Sequence, residues 1–484
     1  MLMYLTAIFR FHLAIALIGI SLHSNALQDD WFETFKANAT DRQLYHFLYA
    51  LPKGGDLHNH LTGSNFVNWW YELATDETKN GGYRYYTRTA INNCVDYAKT
   101  TAQNSSYFLM FRNLQQSSYD VLDKCQQSEY TPLKNVTGKT LAAWKNSLRL
   151  NYGEEGRNEF FYSHWQRLND LGANPYINSE MLYRNMKAFA AEGLMYLETM
   201  EGTRFYKKKD GSLFTADEVA DIYRARLRQT DAVATGVKVG MQYYLLRFID
   251  NAEQDLEWIY RFVDKNRDLF VGLNMVGAED IDKGYPLRFL ETLRTLRRQI
   301  PTLPLSIHAG EQDKPSRNVR DTLLLGASRI GHGINLISDP DTMLLMRNSN
   351  NLIEINLISN LMLGYVNDYQ QHPFPEYLRF GIPVTLTTDD RGMWDSNMTD
   401  EYFVAVKEFN LSWQEIRLLL TNSINHAFIE PKMKLSMQLQ LEQRLDKFER
   451  SFQAKGLEAF QHVTPVSHQF TCKKYQLCLE NSYD

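Results

Sequence analysis

A repeated alternation constrains this chain more than any other feature of its sequence. Short apolar runs at 193–199, 237–245, 269–276, 303–308, 329–332, 352–356 and 383–388 are mostly separated by helical stretches. The segment before His58 supplies an eighth run. Strand and helix in turn argue for a parallel sheet, and eight strands are the number that closes a barrel. An open doubly wound sheet is the alternative, but no glycine-rich dinucleotide fingerprint follows any strand. With 484 residues, 44% hydrophobic and 23% charged, the chain has the material for a large globular core. The expected class is α/β, a (β/α)₈ barrel.

The regions outside the barrel differ in character. Residues 1–26 read as an export signal, with Arg10 before the apolar run 12–22 and Ser24-Asn25-Ala26 as a small-residue cleavage site. That run is short for a membrane anchor. The mature chain is therefore expected to be soluble and secreted or periplasmic, with no membrane segment. Residues 27–50 read as an N-terminal helical segment, with Trp31, Phe35, Leu44, Phe47 and Leu48 at near-helical spacing. The barrel is expected over 51–460, interrupted by a polar, Tyr-containing insertion at about 80–155, and a tail covers 461–484. Cys94 and Cys125 form one close couple and Cys472 and Cys478 another. An oxidising compartment favours pairing within each, although three pairings are open. Sequons stand at Asn38, Asn104, Asn135, Asn397 and Asn410. A net charge of −5 gives no field that would attract nucleic acid.

Ionisable residues concentrate where the strands end. His58 and His60 close the first run, His308 and Glu311 follow another, His332 ends a third, and Asp389-Asp390 follow the last. In a barrel those ends meet at one mouth, so residues far apart in sequence share a site. A strand alternates faces, so His58 and His60, two apart at the end of the first run, are expected to point the same way. Three imidazoles and a carboxylate make an N₃O shell for a divalent ion such as zinc. A strand-end lysine, which two-metal barrel hydrolases use to bridge their ions, is absent, so one metal per chain is expected. The ordinary alternatives are a hydrogen-bonded structural histidine and an aspartate that caps the next helix.

Taken together, 51–60 (Leu-Pro-Lys-Gly-Gly-Asp-Leu-His-Asn-His), 306–311 (Ser-Ile-His-Ala-Gly-Glu), 329–333 (Arg-Ile-Gly-His-Gly) and 387–390 (Thr-Thr-Asp-Asp) resemble the adenosine deaminase family. The leader, the early helical segment, the insertion and Val276-Gly-Ala-Glu-Asp280 resemble its secreted, growth-factor-like branch. The resemblance implies Zn²⁺ on His58, His60, His308 and Asp389. It implies Glu311 as the acid at purine N1, and His332 as the group orienting the attacking water. Asp390 would meet N7, and the Gly277 N–H would meet N3. It further implies a purine nucleoside substrate, a homodimer built through the early helices, and an insertion that binds a cell-surface receptor or glycan unless it is a lid. Leu61, Thr62, Ala278 and Arg391 depart from the family pattern. They open the alternatives of an adenine base, a modified nucleoside or a nucleotide as substrate. The His-x-Glu and Pro-Cys-x-x-Cys pattern of cytidine-deaminase-like enzymes is absent.

Overall fold

The computed structural model describes residues 30–94, 109–279, 281, 283–312 and 316–479, so the expected export segment lies outside the described residues. In chain order the strands are β1 (Gly55–Asp56), β2 (Tyr85–Arg88), β3 (Asn113–Gln115), β4 (Tyr130–Pro132), β5 (Tyr196–Met200) and β6 (Lys238–Leu246). They continue with β7 (Phe270–Val276), β8 (Leu305–Ala309), β9 (Arg329–His332), β10 (Leu352–Ile355) and β11 (Val384–Leu386). Eight of them form one parallel sheet in the order β1-β5-β6-β7-β8-β9-β10-β11. Just beyond β1 and β11 the two edges meet. The Asp389 N–H donates to the His58 carbonyl at 2.9 Å, and the His60 N–H to the Asp389 carbonyl at 3.3 Å. The sheet is a TIM barrel.

Each expected run is a strand, with shifted ends that have local causes. β5 begins late because Gly193, at φ +83°, ends the turn after the helix Pro175–Ala191. β1 is the larger departure. It stops at Asp56, so regular alternation does not aim His58 and His60. They are carried by backbone bonds to the neighbouring strands, among them the isolated bridge from His60 to Met200.

The helices Asp30–Asn38 and Asp41–Ala50 pack on their own barrel. Thr40 starts the second with a capping box to Gln43. Trp31, Phe32, Phe35 and Phe47 meet Trp413, Phe448 and Phe452 at ring separations of 4.8–6.1 Å. Burial of each such ring contributes about 1.5–3 kcal/mol, so this aromatic face is committed within the chain. In the insertion, β2 pairs antiparallel with both β3 and β4, and Cys94 is bonded to Cys125. The sheet leans on loops that follow barrel strands. Tyr83 and Gln115 donate to the Lys207 and Lys208 carbonyls beyond β5, and Leu150 N–H donates to Met393 O beyond β11. The insertion thus borders the barrel mouth.

The second disulfide joins Cys472 to Cys478 in a tail that also packs on the barrel. His468 stacks on Phe66 at 4.5 Å, and Phe470 is buried. Asn397 is buried too, and its side chain is bonded to the Asp400 N–H, Tyr45 and Val466, so this sequon holds the fold together rather than facing solvent. Among the described residues no helix is long and apolar enough to cross a membrane.

Candidate metal centre and active site

Two histidines at the mouth have their tautomers set from behind. His58 Nδ1–H donates to Glu354 Oε2 at 2.8 Å. His308 Nδ1–H donates to Asn274 Oδ1 at 2.9 Å. A relay of amides fixes the second direction. Gln242 Nε2 donates to the Leu57 carbonyl, so its oxygen accepts from Asn274 Nδ2, and the Asn274 oxygen is left facing His308. With Nδ1 committed to these acceptors, Nε2 is the ring atom that each histidine turns to the other donors.

Those Nε2 atoms converge. His60 Nε2 lies 3.3 Å from His308 Nε2, and Asp389 Oδ1 lies 3.2 Å from His60 Nε2 and 3.4 Å from His58 Nε2. The Nε2 atoms of His58 and His332 are buried without a hydrogen-bond partner. His58, His308, His332 and Asp389 bring one donor atom each within 4.8 Å of one another, as do His60, Asp389 and Asp390. Donor atoms held this close repel unless positive charge, a proton or a metal ion, sits among them. The electrostatics agree. Burial alone would lower His58, but Asp389 and Glu354 outweigh it and push its pKa up to about 10. Burial opposes ionisation of Asp389, yet its bonds to His58 and His60 hold it well below the usual carboxylate range. The pocket is built to attract positive charge, and imidazole with carboxylate suits a metal such as zinc.

The other carboxylates of the mouth behave in the opposite way. Glu311 is pushed well above its ordinary value by burial, then by Asp389 and Glu279. Its Oε2 lies 3.5 Å from His332 Nε2. Asp390 is likewise pushed far up by burial and by Asp389, and its Oδ1 is buried without a hydrogen-bond partner. Asp390 precedes the short helix Arg391–Trp394 but makes no side-chain cap, so it does not take the ordinary helix-capping role. Two glycines make room here. A Cβ on Gly63 would sit 1.6 Å from Asp390 Oδ1, and Gly277, at φ +87°, lies against the Phe248 ring directly after β7. His332 and Asp389 themselves have positive φ, +64° and +54°, a strained conformation that concentrates at functional sites.

Several contributors were not anticipated from the sequence. Glu354, Asn274 and Arg329 are polar side chains inside otherwise apolar strands, and that placement was their visible sign. Glu279 accepts from the Glu311 backbone N–H and from Asn318. Glu201, directly after β5, accepts from Thr62 Oγ1 at 3.0 Å, and burial pushes its pKa up to about 7. Two of the departures from the family pattern face elsewhere. Leu61 belongs to the hydrophobic core, and Arg391 is buried over Phe189 with its guanidinium on Asn185 and Glu192.

The adenosine deaminase family model matches residues 148–444. The chain belongs to the adenosine deaminase family. An adenosine deaminase of Lutzomyia longipalpis is 25% identical over 89% of this chain and 85% of its own length. Adenosine deaminase 2 of Dictyostelium discoideum is 24% identical over 79% and 70%. An Enterococcus faecalis adenosine deaminase reaches 30%, but over only 44% of this chain and 64% of its own. Among solved structures, a zinc-bound amidohydrolase from Burkhoderia ambifaria superposes with a TM-score of 0.58 at 17% identity, covering 85% of this chain and 95% of that one. The Arabidopsis N6-mAMP deaminase gives 0.58 at 20%, covering 82% and 99%. This member of the adenosine deaminase family is accordingly a barrel hydrolase of the deaminating kind with a His/Asp metal-binding cluster at its mouth.

Proposed function

We propose that the chain is a zinc-dependent adenosine deaminase that converts adenosine or 2′-deoxyadenosine and water to inosine or 2′-deoxyinosine and ammonia. One observation carries the reading: Glu311, its pKa pushed well above the ordinary carboxyl value, stands 3.5 Å from His332 beside a cluster of imidazole and carboxylate donors. His58, His60, His308 and Asp389 would hold a single ion. Zinc bound there would bring the pKa of a water down to about 7 and so supply a nucleophile at neutral pH. Attack at C6 moves electron density onto the ring, and a neutral carboxylic acid at N1 stabilises it by giving up its proton. Glu311 fits that role. Asp390, whose carboxyl burial and Asp389 push far up, would meet N7, and the Gly277 N–H would meet N3.

The choice of nucleoside over nucleotide rests on Thr62 and Glu201. Thr62 stands where intracellular relatives carry an aspartate near the ribose, and Glu201 behind it restores a carboxyl group to that position. Such a group can accept a sugar hydroxyl, and it offers no cation to a phosphate. The Arabidopsis relative named for N6-mAMP keeps the nucleotide reading in the test. We place the reaction outside the cytoplasm, a reading supported by the two disulfides and by the leader-like residues 1–26. A homodimer belongs to the same proposal; an extracellular ligand whose insertion binds a receptor or glycan is the alternative, and the contacts of the insertion with the mouth loops favour a lid instead.

Metal analysis together with turnover of adenosine, 2′-deoxyadenosine, adenine, N6-methyladenosine, AMP and N6-methyl-AMP tests the reading. A clear preference for adenosine and its deoxy form is expected. Preference for a nucleotide or the free base overturns the substrate assignment. Glu311→Gln should keep its metal and lose at least about 100-fold in turnover, and near-full activity would remove Glu311 from the acid role.

A further inference from the structure

The mouth offers four imidazoles to one small volume, and distance alone does not say which of them is not a ligand. The hydrogen bonds behind the fourth do. They start from a donor whose direction is not in question: the backbone N–H of Phe374 donates to His372 Nδ1 at 3.1 Å. The proton of that neutral ring is therefore on Nε2, which donates to Asn360 Oδ1 at 3.0 Å. The Asn360 amide is thereby oriented, and its Nδ2 donates to His332 Nδ1 at 3.0 Å, with Asn356 Nδ2 approaching the same atom at 3.3 Å. His332 Nδ1 must then accept. All of these residues are buried, so water does not compete for the chain.

The polarity is the reverse of that behind His58 and His308. Their Nδ1 atoms donate, to Glu354 and Asn274, and their Nε2 atoms are bare. We propose that Asn360 is a positioning residue that, backed by His372, holds His332 as its Nε2–H tautomer, which makes His332 a hydrogen-bond donor in the reaction and keeps it out of the metal's ligand set. An Nε2–H cannot coordinate a cation, and it cannot take a proton from the attacking water. It can donate to that oxygen or to Glu311, whose Oε2 is 3.5 Å away. The catalytic half of this inference rests on the deaminase reading above, and the tautomer half does not.

Two-bond ¹H–¹⁵N spectra of the holoenzyme labelled at histidine decide it, with His332→Gln used to assign the His332 signals. The expected pattern is Nε2–H with Nδ1 bare. In Asn360→Asp the carboxylate accepts instead of donating, so His332 should turn over to Nδ1–H. In that variant kcat should fall by about 10- to 100-fold, with KM and metal content within about twofold of the parent. His372→Gln, which keeps a donor behind Asn360, should retain more turnover than His372→Leu. A His332 signal with Nδ1 protonated, or with the shift of a metal-bound Nε2, overturns the proposal whether or not the Asn360 and His372 variants fold. Asn360→Asp with parental kcat overturns the catalytic half. If adenosine is not turned over at all, the wild-type spectrum still reads the tautomer, so failure of the substrate assignment is seen separately.

Discussion

The barrel buries two groups of charged and polar side chains, one above the other, and they are resolved differently. In the deeper group the charges are matched. Arg329 Nε lies 2.6 Å from Glu354 Oε1, its Nη2 lies 2.5 Å from Glu198 Oε2, and its guanidinium covers the Phe428 ring at 3.6 Å. Burial pushes Glu354 up, but Arg329 and His58 outweigh it and hold the carboxyl below its ordinary value. The upper group, at the mouth, gathers imidazole and carboxylate donors beside two acids, Glu311 and Asp390, that burial and Asp389 push well above the ordinary carboxyl value. The same residue types are stable in one place because the fold supplies the countercharge, and poised in the other because it does not. Glu354 joins the two, since it holds both Arg329 and the His58 ring.

If the deep group is structural, removing its cation should cost stability first. Arg329→Met leaves two buried carboxylates unmatched and should cost about 3–5 kcal/mol, read as a lowered denaturation midpoint. A neutral result would break the contrast. If the upper group is functional, His308→Ala should fold normally while losing its metal and more than about 100-fold of turnover, and full metal content would sink the ligand assignment. Glu354→Gln tests the joint. It should weaken metal affinity by about 10–100-fold, measured by competition with a chelator, because the His58 ring loses its charged acceptor. The smallest effect concerns Glu201. Its folded pKa of about 7 exceeds the ordinary 4.5, so between those values the folded state holds a proton that the unfolded chain has released. Stability therefore falls as pH rises through that window, and Glu201→Gln should flatten the slope of melting temperature against pH.

The barrel was legible because period and punctuation are local properties of the chain. The donor residues were legible because strand ends of a closed barrel face one place whatever the loops do. The aim of His58 and His60 was not. It was expected from alternation in a strand that ends at Asp56, and their positions depend on bonds to β5 and to Asp389 that no local pattern encodes. Asn360 and His372 were invisible for a related reason. A polar residue in the helix Leu357–Met362 carries no mark of which ring it will meet across the barrel. Arg391 looked like a change of charge at the mouth because it follows Asp390 in sequence, yet it turns inward to Asn185.

The closure between the two edges of the sheet has a further consequence. It is made by the backbone of His58, His60 and Asp389, the residues whose side chains supply most of the donor cluster. Stitching the barrel shut and gathering the donors are one event, and it joins the first strand of the barrel to the last. The full donor set therefore exists only where residues next to the first strand and next to the last lie side by side.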